Sequence, residues 1–224
     1  MTRISAVVSA LNAAAALPAT LAALRAGPVA ETVVVDGGSS DDTVGLARRA
    51  GARVVAAPTG RGAQLAAGAG ITASDWLLFL HADTRLAAGW GAAAAAFVAD
   101  PANAARAAAF AFALDDPSPQ ARRLERLVAW RCRALGLPYG DQGLLIAREH
   151  YRRLGGFRPL PIMEDVDLVR RIGRRNIVML PVDAVTSAER WRREGWTARS
   201  ARNLLCLSLY FLGVPPRAIT RLYG

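Results

Sequence analysis

The sequence predicts an α/β fold, a single domain in which a mostly parallel central sheet is flanked by helices. Short β-branched runs alternate with stretches of helical composition, which is typical of strands joined by crossover helices. Successive strands are spaced by roughly 20–30 residues, as in βαβ units. A chain of 224 residues, 53% hydrophobic and 21% charged, is long enough to bury one core and too short for two full-sized domains.

The regular alternation is clearest in the first half of the chain. The strands expected there are Ile4–Ala10, Thr32–Asp36, Ala52–Ala56 and Trp76–His81, and the helices are Leu17–Arg25, Asp41–Ala50 and Gly89–Asp100. Ser40 or Asp41 can supply the N-cap of the second helix.

The second half departs from this alternation. Leu124, Leu127, Val128 and Leu135 recur at helical spacing and predict one amphipathic helix, and Val166–Arg175 predicts another. We expect a basic amphipathic helix over residues 199–224. The remaining strands are expected at Phe110–Leu114, Gly143–Ala147 and Asn176–Leu180.

Cysteine content and hydropathy exclude several classes of protein. Cys132 and Cys206 are far apart and form no CxxC motif, so neither a disulfide scaffold nor a zinc ribbon is available. We interpret both as small buried hydrophobes in a reducing compartment, and we expect a cytoplasmic protein. The apolar stretch Leu204–Val214 is too short to span a bilayer.

The net charge of +10 is concentrated in one half of the chain. All 28 basic residues are Arg; residues 1–112 carry eight against seven acids (+1), and residues 113–224 carry twenty against eleven (+9). The absence of Lys, together with Ala-rich tracts, indicates a GC-rich coding sequence rather than selection for DNA. We therefore expect no nucleic acid partner, although the basic half needs phosphates, an anionic surface or solvent around it.

Two carboxylates stand at the ends of apolar strands, where open α/β sheets bind ligands. Asp36 closes one strand and Asp83 follows another. A strand end with a helix cap would explain Asp36 alone, but recurrence at a second strand favours a site. A dinucleotide site is excluded because Ser9–Asn12 replaces its glycine motif, and a P-loop is excluded because the chain has no Lys.

Short motifs then follow one another in order along most of the chain. They are residues 4–8, Asn12, residues 33–43, His81–Asp83, Gly140–Gly143, Gly155–Phe157, Met163–Leu168 and Glu189–Trp191. Each is weak alone, but the ordered set resembles the family 2 glycosyltransferases of GT-A fold. The short length, the His81-Ala82-Asp83 variant and the basic ending are similar to a small bacterial subgroup associated with radical-SAM genes and arsenosugar-type biosynthesis.

The resemblance implies a donor site for a nucleoside-diphosphate sugar, with UDP as the expected nucleotide. Asp36 resembles the acid that binds the nucleoside, and Asp83 resembles the last acid of a D-x-D motif that binds Mg²⁺ or Mn²⁺ between the phosphates. Arg61, placed on a flexible loop, and Arg190 are candidates for the diphosphate, although a solvated arginine explains Arg61 equally well. Further nucleotide-sugar-binding candidates are Asn12, Gly38 and Ser39.

The resemblance also implies an inverting transfer to an acceptor hydroxyl. Asp165 resembles the catalytic base, and Glu164 is its predicted catalytic neighbour, whose charge could raise the base's pKa. An exposed acidic start of a helix is the alternative for this pair. Asp141, Gln142 and Trp191 are candidates for the acceptor, although a polar turn would explain the first two.

Three departures from the family pattern affect the donor site. His81 replaces the first acid of D-x-D, which leaves Asp83 as the one firm metal ligand. The proline of the first-strand signature is missing, and Ala13 stands where many relatives have Glu.

On this basis we divide the domain into a nucleotide-sugar-binding half, residues 1–112, an acceptor and catalytic half, residues 113–198, and the basic C-terminal helix. That helix could pack on the domain, lie on the inner face of an anionic membrane near a small-molecule or lipid-linked acceptor, or form a homodimer contact. The alternatives to a glycosyltransferase are a sugar-phosphate nucleotidyltransferase and a non-catalytic basic binding protein.

Overall fold

The computed structural model describes residues 3–223, in which eight strands form one sheet. The strands are β1 (Ile4–Ala10), β2 (Val29–Asp36), β3 (Arg53–Ala56), β4 (Trp76–His81), β5 (Thr84–Leu86), β6 (Ala107–Leu114), β7 (Leu144–Ala147) and β8 (Ile177–Thr186). Their order across the sheet is β3-β2-β1-β4-β7-β6-β8-β5.

Ten α-helices connect or follow these strands. They are α1 (Leu17–Arg25), α2 (Thr43–Arg49), α3 (Arg61–Ile71), α4 (Trp90–Ala99), α5 (Pro119–Leu135), α6 (Arg148–Arg153), α7 (Glu164–Ile172), α8 (Glu189–Glu194), α9 (Trp196–Phe211) and α10 (Pro216–Tyr223). Short 3₁₀ helices cover Pro101–Ala105, Gly140–Gln142 and Arg174–Asn176. No helix among the described residues is long and apolar enough to cross a membrane.

The sheet is parallel in its first half and mixed in its second. Strands β3, β2, β1 and β4 are mutually parallel, as predicted, while β7 pairs antiparallel with both β4 and β6. β6 and β8 are again parallel. The α/β fold class expected from the sequence is confirmed, and the antiparallel β7 marks where the regular alternation ends.

Alternate side chains of the central strands build two core layers. In β4, Leu78 and Leu80 pack on one face with residues of α1 and α4, whereas Leu77 and Phe79 pack on the other with residues of α3 and α7. Strands buried on both faces read as continuous apolar runs, which is why the sequence located them well. The helices on the second face, α3 and α7, carry Arg61 and Asp165 of the candidate site.

Several predicted boundaries are wrong for physical reasons. β6 begins at Ala107 rather than Phe110, because a run of alanines gives little strand signal. β8 continues past Leu180 to Thr186 through a register shift beside Pro181, where the sequence indicated a stop. The short β5 was not predicted.

Two helix predictions also need correction. Residues 199–224 do not form one helix: α9 begins at Trp196 and ends at Phe211, and α10 starts at Pro216 after a turn at Gly213 with φ +87°. α2 begins at Thr43 and its N-cap residue is Asp42, so both predicted caps, Ser40 and Asp41, are wrong, although the Asp41 carboxylate accepts the Thr43 N–H at 3.0 Å.

Candidate active site

The carboxyl ends of three parallel strands meet at one edge of the sheet. β1 lies between β2 and β4, with Ala10 opposite Asp36 and Ser9 opposite His81. The chain moves outward from β1 to β2 and β3, then returns on the other side of β1 as β4. Such a reversal of strand order opens a crevice in which α/β sheets bind ligands. Asp36 and His81 therefore flank the floor of the candidate site.

The turns after β1 and β2 bring together four residues predicted to bind the nucleotide sugar. Asp36 Oδ2 accepts the N–H groups of Gly38 and Ser39, both at 3.0 Å, and its Oδ1 accepts the Ser39 hydroxyl at 2.5 Å. Gly38 has φ +97°, a conformation that favours glycine. Asn12 Oδ1 accepts the Ser40 N–H at 2.8 Å, and the Asn12 N–H donates to the Ser39 hydroxyl at 2.9 Å. These contacts make a pre-ordered rim on the crevice.

Gln64, which was not predicted as a site residue, joins the ends of β1 and β2 beneath this rim. Its side chain is 3% exposed, and Nε2 donates to the backbone oxygens of Ala10 and Val35, each at 2.8 Å. Gln64 is the one polar side chain between Arg61 and Ile71, and that isolated polar residue in an apolar helix was the available signal.

Arg61 is the first residue of α3 and is partly buried, so the predicted loop position is wrong. Burial acts to lower the pKa of Arg61, but surrounding acidic groups raise it above its ordinary value. These groups are Glu164, Tyr223, Asp165 and Asp83. Arg61 is therefore a permanent cation at the centre of the predicted acidic residues.

Asp165, the second residue of α7, is held in place by hydrogen bonds from two backbone N–H groups. Its Oδ2 accepts the Gly140 N–H at 2.6 Å, and its Oδ1 accepts the Val166 N–H at 2.7 Å. A Cβ at residue 140 would lie 2.5 Å from His81 Nε2 and 3.2 Å from Asp165 Oδ2, so glycine allows this close approach. A cavity of about 20 Å³, lined in part by His81, Gly140 and Asp165, lies beside them.

Two carboxyl groups near Asp165 have raised pKa values. Burial, followed by repulsion from Asp165, raises the pKa of Glu164 to about 7, against the effect of Arg61. Burial likewise raises the pKa of Asp141 to about 6, although Arg131 opposes it. Among the described residues, neither Glu164 oxygen nor Asp141 Oδ1 has a hydrogen-bond partner.

His81 and Asp83 lie at the end of β4 with different chemistry. Burial, together with Arg61 and Arg190, lowers the pKa of His81, so its imidazole is neutral near pH 7. The Asp83 carboxylate is partly exposed and makes no hydrogen bond within residues 3–223, which leaves it free for a ligand. The same part of the chain contains no group of three or more His, Cys, Asp or Glu side chains placed to hold a metal ion.

The side chains of Gln142 and Trp191, which were predicted to contact an acceptor, make contacts within the protein. Gln142 is 1% exposed; Nε2 donates to the Phe110 oxygen at 2.9 Å, and Oε1 accepts the Tyr139 N–H at 3.3 Å. The Trp191 ring is partly buried and packs against Phe112, with centroids 6.5 Å apart. Gln142 therefore supports the wall of the site through its own hydrogen bonds, whereas the buried Trp191 Nε1 has no hydrogen-bond partner within the described residues.

Arg190 is the arginine of its segment that stays unpaired in the described chain. Arg192 forms ion pairs with Asp115 at 3.7 Å and Asp116 at 3.1 Å, and Arg193 contacts Glu194. Arg190 is exposed on α8 and close enough to lower the pKa of His81. Its guanidinium is free to meet an anion at the crevice.

Known structures share this architecture over nearly the whole chain. Glucosyl-3-phosphoglycerate synthase from Mycobacterium tuberculosis, in complex with Mn²⁺, UDP and glucosyl-3-phosphoglycerate, aligns with a TM-score of 0.66 and 20% identity over 96% of this chain and 81% of that one. The same enzyme with Mg²⁺ and UDP aligns with a TM-score of 0.67 and 20% identity over 96% and 80% of the two chains. Mannosyl-3-phosphoglycerate synthase from Rubrobacter xylanophilus aligns with a TM-score of 0.62 and 18% identity over 95% and 75%.

Sequence comparison assigns the family. No curated protein matches the chain. The model of glycosyl transferase family 2 matches residues 5–149, which include the rim, Arg61, Asp83 and Asp141. With the GT-A fold confirmed by the solved structures and the family model covering most of the chain, the protein belongs to glycosyl transferase family 2 and is a glycosyltransferase.

Proposed function

We propose that the protein is an inverting transferase that moves a sugar from a nucleoside-diphosphate sugar, a UDP-sugar, to an acceptor hydroxyl. The observation that carries this proposal is the Asp165 carboxylate, which two backbone N–H groups fix beside a cavity that His81 and Gly140 also line. The solved relatives that hold UDP support the choice of nucleotide.

The reaction is a single in-line displacement. The acceptor oxygen attacks the anomeric carbon, the bond from that carbon to the diphosphate oxygen breaks, and Asp165 takes the acceptor's proton. Glu164 was predicted to be catalytic too, but at 1% exposed it has no access to an acceptor. Within the described residues its carboxyl makes no hydrogen bond, so it acts on Asp165 and Arg61 through charge alone.

The donor lies along the strand ends. The rim of Asn12, Asp36, Gly38 and Ser39 takes the nucleoside, where the turn already has its hydrogen bonds in place. Arg61 and Arg190 face the diphosphate, because guanidinium groups bind phosphate oxygens in a bidentate way.

Asp83 fits a divalent cation, Mg²⁺ or Mn²⁺. These hard ions prefer carboxylate oxygens and often share their remaining positions with substrate phosphates and water. Asp83 offers a carboxylate that has no hydrogen-bond partner in the described part of the chain, and solved relatives were crystallised with either ion. When bound, the ion would stabilise negative charge on the leaving diphosphate.

Asp141 is the remaining candidate for the acceptor, because its Oδ1 is buried near Asp165 and finds no hydrogen-bond partner among the residues that the structure describes. A hydroxyl group of a small-molecule or lipid-linked acceptor would satisfy it. The resemblance to the radical-SAM-associated subgroup, the cytoplasmic location, the homodimer and the membrane contact through the C-terminal segment stay predictions.

A thermal-shift panel of UDP, GDP, dTDP and CDP, each with and without Mn²⁺, tests the donor site. We expect a Mn²⁺-dependent shift with UDP that is lost in Asp83→Ala, because ligand binding stabilises the folded state. Asp75→Ala is the matched control, since Asp75 is exposed just before the opposite end of β4. No shift with any nucleotide on folded protein, or equal losses in both variants, would contradict the proposal.

A further inference from the structure

Helix α5 carries an exposed face that no part of the described chain covers. Arg123, Arg126, Leu127, Trp130 and Arg133 are all exposed and lie within an arc of about 120° on the helix. Leu127 is 64% exposed and Trp130 is 60% exposed. The opposite side of α5 packs on β6 and α8 through Ala121, Val128 and Cys132. We call this set of five residues the α5 face.

The charge of the α5 face is entirely positive. None of its three arginines forms an ion pair within residues 3–223. The one acid of α5, Glu125, is turned inward: it accepts the Leu114 N–H at 2.8 Å and pairs with Arg122 at 2.8 Å. Three guanidinium groups without an ion pair in the described chain, of which Arg126 donates only to the Arg122 backbone oxygen at 3.2 Å, therefore flank a leucine and a tryptophan.

We propose that the α5 face docks on an anionic lipid bilayer. Arginine binds lipid phosphates, and basic residues at a bilayer surface each strengthen binding to anionic lipid. Trp is enriched at membrane interfaces, where its apolar ring is buried and its N–H stays near water, and Leu adds apolar area. This combination on one helical face matches the chemistry of an interfacial helix. The inference does not depend on the donor or acceptor proposed above.

The charges of the α5 face disfavour a second copy of this chain and nucleic acid as its partner. A two-fold dimer would bring Arg123, Arg126 and Arg133 against their own copies with no acid on the face to pair them. Nucleic acid would accept the arginines but leave Leu127 against a polar backbone. The arginines of α9 are less available to an anionic surface than those of the α5 face, because Arg199 and Arg202 form ion pairs with Glu194 at 3.3 and 2.8 Å.

The test is binding of the full chain to vesicles made of phosphatidylglycerol and phosphatidylcholine. We expect binding that rises with phosphatidylglycerol content and weakens with salt, with a blue shift of tryptophan emission that is lost in Trp130→Phe. Arg123→Glu with Arg126→Glu should lower the affinity at least tenfold, since each basic residue near such a surface is worth about fivefold.

Matched controls separate the α5 face from net charge and from α9. Arg25→Glu with Arg48→Glu makes the same change in charge at exposed residues of α1 and α2, and Leu204→Glu with Leu205→Glu alters exposed residues of α9. Both should bind vesicles to within about threefold of wild type. The proposal would be overturned if the wild-type protein did not bind vesicles, or if an unrelated oligonucleotide displaced them. It would also be overturned if the Arg25/Arg48 variant lost as much affinity as the Arg123/Arg126 variant, or if the Leu204/Leu205 variant lost more. Circular dichroism confirms that each variant is folded.

Discussion

At the residue scale, the Asp165 carboxylate is fixed by backbone groups and not by other side chains. The Gly140 and Val166 N–H groups each bind one of its oxygens, so its position depends on the packing of two separate segments. A base held in this way keeps its geometry when neighbouring side chains change. Because asparagine can accept only one of these two N–H groups, a substitution at this residue tests both its position and its capacity to take a proton.

Asp165→Asn should lower turnover by roughly 10²- to 10⁴-fold, because the amide cannot accept the acceptor's proton. The thermal shift with UDP and Mn²⁺ should be retained, since the donor rim is unchanged. Turnover is measured as UDP release from the donor. Asp183→Asn, at an exposed residue of β8, is the control. Turnover of Asp165→Asn within about tenfold of wild type would show that another group is the base.

Glu164 predicts a pH dependence of stability. Folding raises its pKa from 4.5 to about 7, so its contribution favours the folded state below about pH 4.5 and is lost as the pH rises through about 7. Glu164→Gln stays neutral throughout. The variant's Tm relative to wild type should therefore rise between about pH 5 and about pH 8. Thermal melts across this range measure it; a Tm difference that is constant with pH would mean that folding does not raise this pKa.

At the scale of the element, helix α3 is closely packed at residue 62 and open to solvent at residue 70. A Cβ at residue 62 would overlap the Arg158 carbonyl oxygen, whereas a Cβ at residue 70 of the same helix would have nothing within 4 Å. The first position brings α3 and Arg61 against the segment that leads to α7. The second is open space on the surface.

Gly62→Ala should therefore destabilise the protein by about 1–3 kcal/mol, because α3 must move away from Arg158. Gly70→Ala should stabilise it by up to about 1 kcal/mol through helix propensity. The midpoints of urea unfolding give both values. Equal effects of the two substitutions would show that α3 is not closely packed at residue 62.

At the scale of the whole molecule, the C-terminal helices close over the start of α7. Ile219 of α10 is fully buried against Ile162, Met163 and Val166, which surround Glu164 and Asp165 in the chain. The last described helix thus contacts the segment that carries the proposed base. Distant parts of the chain are coupled here through one apolar cluster.

Ile219→Ala should cost about 2–5 kcal/mol locally, because it leaves a cavity in that cluster. We expect faster amide hydrogen exchange in residues 162–166 and in α10, together with reduced turnover. Leu222→Ala, at a residue 49% exposed on the same helix, should change either quantity little. Unchanged exchange in residues 162–166 of the Ile219 variant would exclude the coupling.

The predictions from sequence were best where the signal is local. β1, β4 and α1 were predicted to the residue, because buried parallel strands are continuous apolar runs and the helix has its own spacing. The rim also followed from its motif, since its contacts are between neighbouring loops. The burial of Gln142 and the helical position of Arg61 were not predicted, because a polar residue in a motif has the same sequence signal whether it faces a ligand or the core. The acceptor contact of Trp191 stays a prediction.

Periodicity and motif order are enough to predict the fold class, the strand ends that carry Asp36 and Asp83, and the family. Which groups meet depends on how distant segments pack. Gly140 binds Asp165 from 25 residues away, and Gln64 binds the end of β1 from 54 residues away. Burial in the folded protein, and not any local pattern, also raises the pKa of Glu164, whose oxygens have no hydrogen-bond partner within residues 3–223. Packing between remote segments sets both contacts and desolvation, and no periodicity in the chain encodes either one.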